Sequence, residues 1–215
     1  MTGDDVVVTL ARRGRGPDPG RYATAADRAR ATDLPERRAA EYLEGRALLR
    51  WLLDRVLGPP TAHAAIGVTA TGKPVLDGDV GVSVSHGTRV LAAAVAPARE
   101  VGVDVQEHVV PTPGLLARCC RAEDVAAVAA LAPAERARVF TAVWVVQEAC
   151  LKAVGEGVRF RPGRVAVRPG RRRGAWRDLH WRLLPPYAGA EVAVAASGPP
   201  PRVHLLHPVE GMRAP

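Results

Sequence analysis

The chain has 215 residues and a mass of 22.8 kDa, enough for one large domain or two small ones and for a core that needs no disulfide staples. Its 47% hydrophobic and 24% charged residues exclude wholesale disorder, and no apolar run approaches the roughly 18 residues of a membrane helix. Thirty lysines and arginines against 22 acids give +8 and a pI near 10.4, which points to an anionic partner: nucleic acid, an acidic protein or a phosphorylated ligand.

The start, Met1-Thr2-Gly3-Asp4-Asp5, is acidic and lacks the layout of a signal peptide, so a cytoplasmic location is expected. Three cysteines, two of them adjacent (Cys119, Cys120), fit a reducing compartment. Val6 to Leu10 predicts a strand, closed by an Arg- and Gly-rich loop. From Pro35, Leu43, Ala47, Leu48, Trp51, Leu52 and Val56 recur at helical spacing until Gly58-Pro59-Pro60. Strands are predicted at 65–70, 80–84 and 91–95. The order then repeats, with a strand at 101–105, a helical patch at 123–131, and a long helix from Pro133 to Val154. Strands at 165–167, 180–184 and 192–196 follow, then an extended Pro199-Pro200-Pro201 connector and a loose end. The fold class expected is α+β, as two similar halves related by a pseudo-twofold, residues 1–98 and 99–215. Each half is a long helix on a small, mainly antiparallel sheet. Laying Pro35 on Pro133 sets Arg50 opposite Glu148.

The composition is skewed to Arg, Ala, Gly, Pro and Val, so rare residues stand out. The only lysines are Lys73 and Lys152, the only glutamines Gln106 and Gln147, and two of three serines are Ser83 and Ser85. Gly72-Lys73-Pro74 offers a point charge on a turn, for a phosphate or an adenine edge, or else only to solvent. In Val82-Ser83-Val84-Ser85-His86-Gly87, alternation sets both serines opposite the valines, with His86 at a strand end able to reach phosphate oxygens. No orienting acid accompanies this Ser-His pair, so hydrolase chemistry is discounted. Val101-Gly102-Val103-Asp104-Val105-Gln106 carries a carboxylate within an apolar strand, with Asp104 and Gln106 on one face. Buried there, Asp104 needs a cation or donor, either an arginine or a magnesium ion. Trp144, Glu148 and Lys152 form one helical stripe at i, i+4 and i+8, which alone would read as a surface ion pair. Cys150 reads as core filler.

Taken in order, GKP, VSVSHG, VGVD and W-x-x-x-E-A-x-x-K resemble the Sfp-type 4′-phosphopantetheinyl transferases. The resemblance extends over most of the chain, including Gly45-Arg46-Ala47-Leu48-Leu49-Arg50 and the stretch from Tyr187 to Val194. It implies an enzyme that moves the phosphopantetheine arm of coenzyme A onto a carrier-protein serine and releases 3′,5′-ADP. It also implies a Mg2+ ion (Mn2+ being possible) on Asp104, Gln106 and Glu148. Glu148 would act as base or orient a water, and Lys152 would neutralise the leaving group. Ser85, His86 and Lys152 would contact phosphates, Lys73 and Pro74 the adenine, and Arg28 or Arg30 the 3′-phosphate. The implied partner is an acidic acyl or peptidyl carrier, met by a monomer with a basic rim, without nucleic acid or membrane.

Two positions depart from the family pattern. Gln106 stands where a second acid is frequent, lowering the charge on a metal, and Gln147 where a lysine is frequent. A degenerate relative that binds coenzyme A or carrier without turnover is the alternative reading. A basic nucleic-acid-binding protein is a third, supported only by charge and Arg171-Arg172-Arg173.

Overall fold

The computed structural model describes residues 4–156 and 162–208. Residues 1–3, which precede the two acids of the start, and the expected loose end beyond residue 208 lie outside the described residues. In chain order the elements are β1 (Asp5–Arg12), α1 (Pro19–Tyr22), α2 (Ala25–Thr32), α3 (Glu36–Leu57), α4 (Pro59–His63), β2 (Ile66–Val68) and β3 (Pro74–Leu76). Then come β4 (Val80–His86), β5 (Val90–Pro97), β6 (Val101–Glu107), α5 (Pro113–Cys119), α6 (Ala122–Ala129) and α7 (Pro133–Ala153). A 3-10 turn at Pro162–Arg164, β7 (Arg173–Trp176), β8 (Leu179–Leu183), β9 (Ala190–Ser197) and β10 (Arg202–Leu206) complete the chain. This mixture of helices and largely antiparallel sheets is the α+β class expected.

Two four-stranded sheets carry the structure, ordered β10-β1-β5-β4 and β6-β9-β8-β7. Alternation along the strands sorts their side chains between two apolar layers. Val6, Val8, Leu10, Ala92 and Ala94 of the first sheet meet Val103, Val105, Val192 and Val194 of the second. The opposite face of the first sheet, with Val82, Ala93 and Val95, packs on Leu48, Leu49 and Leu52 of α3. The opposite face of the second, with Ala193, Ala195 and Trp181, packs on Val145, Val146 and Ala149 of α7. The order of layers is therefore helix, sheet, sheet, helix, with the alanines of β5 leaving room for the second sheet. Among the described residues no helix is long and apolar enough to cross a membrane.

Local readings change, beyond the short elements α1, α2, α4, β3 and α5 that the sequence did not announce. Residues 165–167 form no strand; Val165 and Val167 are buried beside α7 as an extended packing segment. Arg173–Trp176, too polar to read as a strand, gains its place by pairing with β8. Beyond the proline connector, β10 runs parallel to β1, with Asp5 opposite Arg202. Residues 202–206, for which the sequence predicts no strand and which fall within the expected second half, thus lie in the first sheet.

The long helices begin on prolines and stop at glycines in the left-handed region, Gly58 (φ 87°) and Gly155 (φ 70°). Arg50 of α3, matched in sequence to Glu148, is 2% exposed. It donates to Asp27 at 2.6 Å and to the carbonyls of Ala62 and Ala64. That position on the first helix is a structural ion pair tying α2 and α4 to α3.

Candidate active site

The close approach of α7 to β6 starts at Gly102. A Cβ there would stand 2.0 Å from the carbonyl oxygen of Ala149 and 2.5 Å from the amide nitrogen of Ala153, so only glycine lets the helix lie this near. Asp104, two residues on and on the same strand face, then meets the helix stripe. Lys152 Nζ donates to Asp104 Oδ1 at 2.6 Å. The buried carboxylate finds its cation in a lysine of the helix, not in an arginine.

The first sheet reaches the same oxygen. Ser85 Oγ donates to Asp104 Oδ1 at 2.7 Å and accepts from the amide of Val105 at 3.3 Å. Ser83 Oγ accepts from the amide of Val103 at 3.1 Å. Both serines are buried, and their hydroxyls stand in for the neighbouring strand that the edge of β6 lacks. The alternation legible in Val82–His86 is thus the seam between the sheets.

A cavity of about 400 Å³ opens over these groups, lined by Ser85, His86, Asp104, Gln106, Arg118, Trp144, Glu148, Lys152 and Pro162 among others. The helical stripe of Trp144, Glu148 and Lys152 forms one of its walls. A second cavity of about 210 Å³ is lined by Gly72, Lys73, Pro74, Ser83 and Leu151, and Glu148 and Lys152 border both. The Glu148 carboxylate accepts no hydrogen bond among the described residues. Burial pushes its pKa up, the charge of Asp104 adds to this, and Lys152 and Arg118 oppose it.

His86, at the end of β4, rests its ring on α3 at Gly45, where a Cβ would lie 2.2 Å from Nε2. Although an edge of the residue faces solvent, desolvation of the ring, aided by the charge of Lys152, lowers its pKa to about 4. The imidazole is neutral in the ordinary working range. Glu107, at the end of β6, accepts from the amides of Thr88 at 2.9 Å and Arg89 at 2.6 Å, fixing the turn that follows His86. Those donors hold its pKa down against the opposing effect of burial. The signals for Gly45 and Glu107 were slight: a glycine inside a helical pattern, and an acid one residue past the notable glutamine.

Lys73 lines the smaller cavity, but its amine is engaged. It forms an ion pair with Glu100 and donates to the Ala153 carbonyl at 2.5 Å, near the C-terminus of α7. Arg28 sits on α2, donates to the carbonyl of Pro19 at 3.2 Å, and lines neither cavity; nor does Arg30. Gln147 points away from the cleft. It is fully buried and donates to the carbonyls of Cys119 at 2.7 Å and Val165 at 3.1 Å, so a contact of this side chain with a bound phosphate is ruled out by its orientation. Cys150 is core filler, its thiol pushed up to about 12 by burial.

The donors facing the larger cavity are two carboxylates and one amide, all hard oxygen ligands. Among the described residues no group of three or more His, Cys, Asp or Glu could hold a metal ion. The mutual repulsion of Asp104 and Glu148 is nevertheless what a divalent cation relieves, and this donor chemistry fits magnesium better than zinc or copper.

Two family models match the chain in succession: the 4′-phosphopantetheinyl transferase N-terminal domain over residues 26–96 and the 4′-phosphopantetheinyl transferase superfamily over residues 100–194. The chain belongs to the 4′-phosphopantetheinyl transferase superfamily. It is similar also to the 4′-phosphopantetheinyl transferase HetI of Nostoc sp. (strain PCC 7120), with 26% identity over 176 residues, 77% of this chain and 73% of the relative. The chain is accordingly an enzyme of phosphopantetheine transfer. The boundary between the matched regions falls between β5 and β6, and the cleft takes residues from both sides of it: Ser85 and His86 from one, Asp104, Glu148 and Lys152 from the other.

Proposed function

We propose that this transferase moves 4′-phosphopantetheine from coenzyme A to a serine of an acidic acyl or peptidyl carrier protein, with magnesium. The observation that carries the reading is the facing pair Asp104 and Glu148, on a strand and the helix against it, sharing one cavity with Lys152. Magnesium, when bound, would be held by Asp104, Glu148 and Gln106, and supplies charge neutralisation to the diphosphate. The protein's own groups do the remainder.

The serine oxygen attacks the phosphorus that carries the pantetheine arm, and the bond from that phosphorus to the bridging oxygen of the diphosphate breaks. The serine proton passes to Glu148, directly or through a water, and 3′,5′-ADP departs. The raised pKa of Glu148 suits a base, because a more basic carboxylate accepts a proton more readily. Lys152 stands where negative charge grows on the leaving group, and neutral His86, its ring N–H directed at the Glu41 carbonyl, borders the cleft. Lys73 and Pro74 border the smaller cavity, where the adenine is assigned; the 3′-phosphate is assigned to Arg28, which must then be met outside the two cavities. Both walls of the cleft come from one chain, so a monomer suffices.

The test is the intact mass of an apo carrier incubated with coenzyme A and magnesium. Wild type adds the mass of one arm; Glu148→Gln and Asp104→Asn leave the carrier unmodified. Tight coenzyme A binding with no mass gain on any of several carriers would select the non-catalytic alternative instead.

A further inference from the structure

Between Glu156 and Asp178 the chain carries eight arginines and no acid, although the whole protein has 22 acids. The described part of this segment leads from the cleft to a sheet edge. Pro162 lines the larger cavity, the Arg164 carbonyl accepts from Trp176 Nε1 at 3.1 Å, and β7 is the outer strand of its sheet. At that edge Arg173 is the cross-strand partner of Arg182, both exposed on the face turned away from α7. Arg168, Arg171 and Arg172 are exposed beside them. Of these five, only Arg172 makes a side-chain hydrogen bond, to the Leu184 carbonyl at 3.3 Å, and none has an ion-pair partner among the described residues. Arg177 differs, since it pairs with Glu156 at 2.8 Å.

Like charges directly opposite each other on a sheet destabilise it. Folding alone gives no reason to keep Arg173 against Arg182, whereas an anionic surface laid across both turns the repulsion into attraction. We propose that the β7–β8 edge, around Arg168, Arg171, Arg173 and Arg182, is the docking surface for the acidic face of the carrier protein. The 3-10 turn joins this surface to the cavity where the acceptor serine must enter. The proposal rests on the transfer reading above and adds to it the place where the partner sits. Charges of this kind act mainly on encounter rate and register, so they appear in the constant for the carrier and not in the one for coenzyme A.

Charge reversal separates docking from the bland role of guarding an edge strand, because glutamate guards an edge as well as arginine does. The experiment compares wild type with Arg173→Glu and with Arg171→Glu/Arg173→Glu/Arg182→Glu, using an apo acyl carrier protein and, in parallel, a short neutral acceptor-serine peptide. Expected for the triple variant are a KM for the carrier raised at least tenfold, a KM for coenzyme A within twofold of wild type, and unchanged peptide modification. The wild-type KM for the carrier rises steeply between 50 and 300 mM salt while that of the triple variant stays nearly flat. Arg173→Glu alone keeps or raises the Tm, since it converts a repulsive pair to an attractive one. An unchanged KM for the carrier overturns the docking proposal while leaving the transfer reading intact. Absence of arm transfer by wild type to carrier and peptide alike overturns the transfer reading itself.

Discussion

Substituting Gly102 by alanine tests whether the nearness of α7 to β6 builds the cleft. The added Cβ would face the Ala149 carbonyl oxygen at 2.0 Å and the Ala153 nitrogen at 2.5 Å, both backbone atoms of a helix that cannot rotate aside. Opening 2.0 Å to the 3.4 Å of ordinary contact requires α7 to retreat by about 1.4 Å. Such a shift can take Lys152 Nζ from 2.6 Å to about 4 Å from Asp104, beyond hydrogen-bond reach. Overpacking of this kind costs about 1–3 kcal/mol, and misplacing catalytic groups by about 1 Å lowers turnover by roughly a hundredfold. Gly114 is the control: it lies in α5 with nothing within 4 Å of an added methyl, so alanine there leaves both properties alone or slightly improves stability. Urea denaturation gives the stability change and intact-mass kinetics the rate. A Gly102→Ala protein with wild-type stability and wild-type transfer would refute the packing argument.

Glu148→Gln is expected to abolish transfer yet stabilise the protein without ligand. The native carboxyl has a raised pKa, so folding favours its protonated form; the resulting penalty is present above its native pKa and fades as pH falls toward 4.5, the ordinary value. The variant's Tm should exceed that of wild type at pH 8, with the gap closing toward pH 4.5, as scanning calorimetry would show. Ser85→Ala strips Asp104 of a donor and leaves the buried Val105 amide unpaired, a loss of about 1–3 kcal/mol by urea denaturation, with transfer reduced. In NMR titration the His86 ring should show its inflection near pH 4, so His86 adds no step to the activity profile between pH 5 and 8. Gln147→Ala removes the partner of the Cys119 and Val165 carbonyls and should lower the Tm by several degrees while the KM for coenzyme A holds, because the side chain faces the core.

Much of this site was legible because its residues are rare in an arginine- and alanine-rich chain. Asp104 within an apolar strand demanded a partner on electrostatic grounds alone, and the helical stripe ending in Lys152 held that partner. The identity of the partner lay beyond periodicity, since it depends on how near α7 comes, which Gly102 decides through backbone contact. The two serines read as a polar face; their use as stand-ins for a missing strand required the sheets to meet. The place of Gln147 was not legible, because the linear motif sets it beside Glu148 while a step of one residue on a helix turns a side chain by about 100° and buries it on another face. β7 escaped notice for a similar reason: an edge strand of arginine, glycine and alanine has no apolar alternation, and only its pairing with β8 makes it a strand. The return of β10 to β1 is a long-range event that no local pattern announces.

The central claim, that Asp104 and Glu148 share one divalent cation over a diphosphate, is tested most directly by counting bound manganese through loss of the free-ion paramagnetic resonance signal with coenzyme A present. The account predicts one ion per wild-type chain, and affinity at least tenfold weaker in both Asp104→Asn and Glu148→Gln. Equal manganese affinity in wild type and both variants would contradict it.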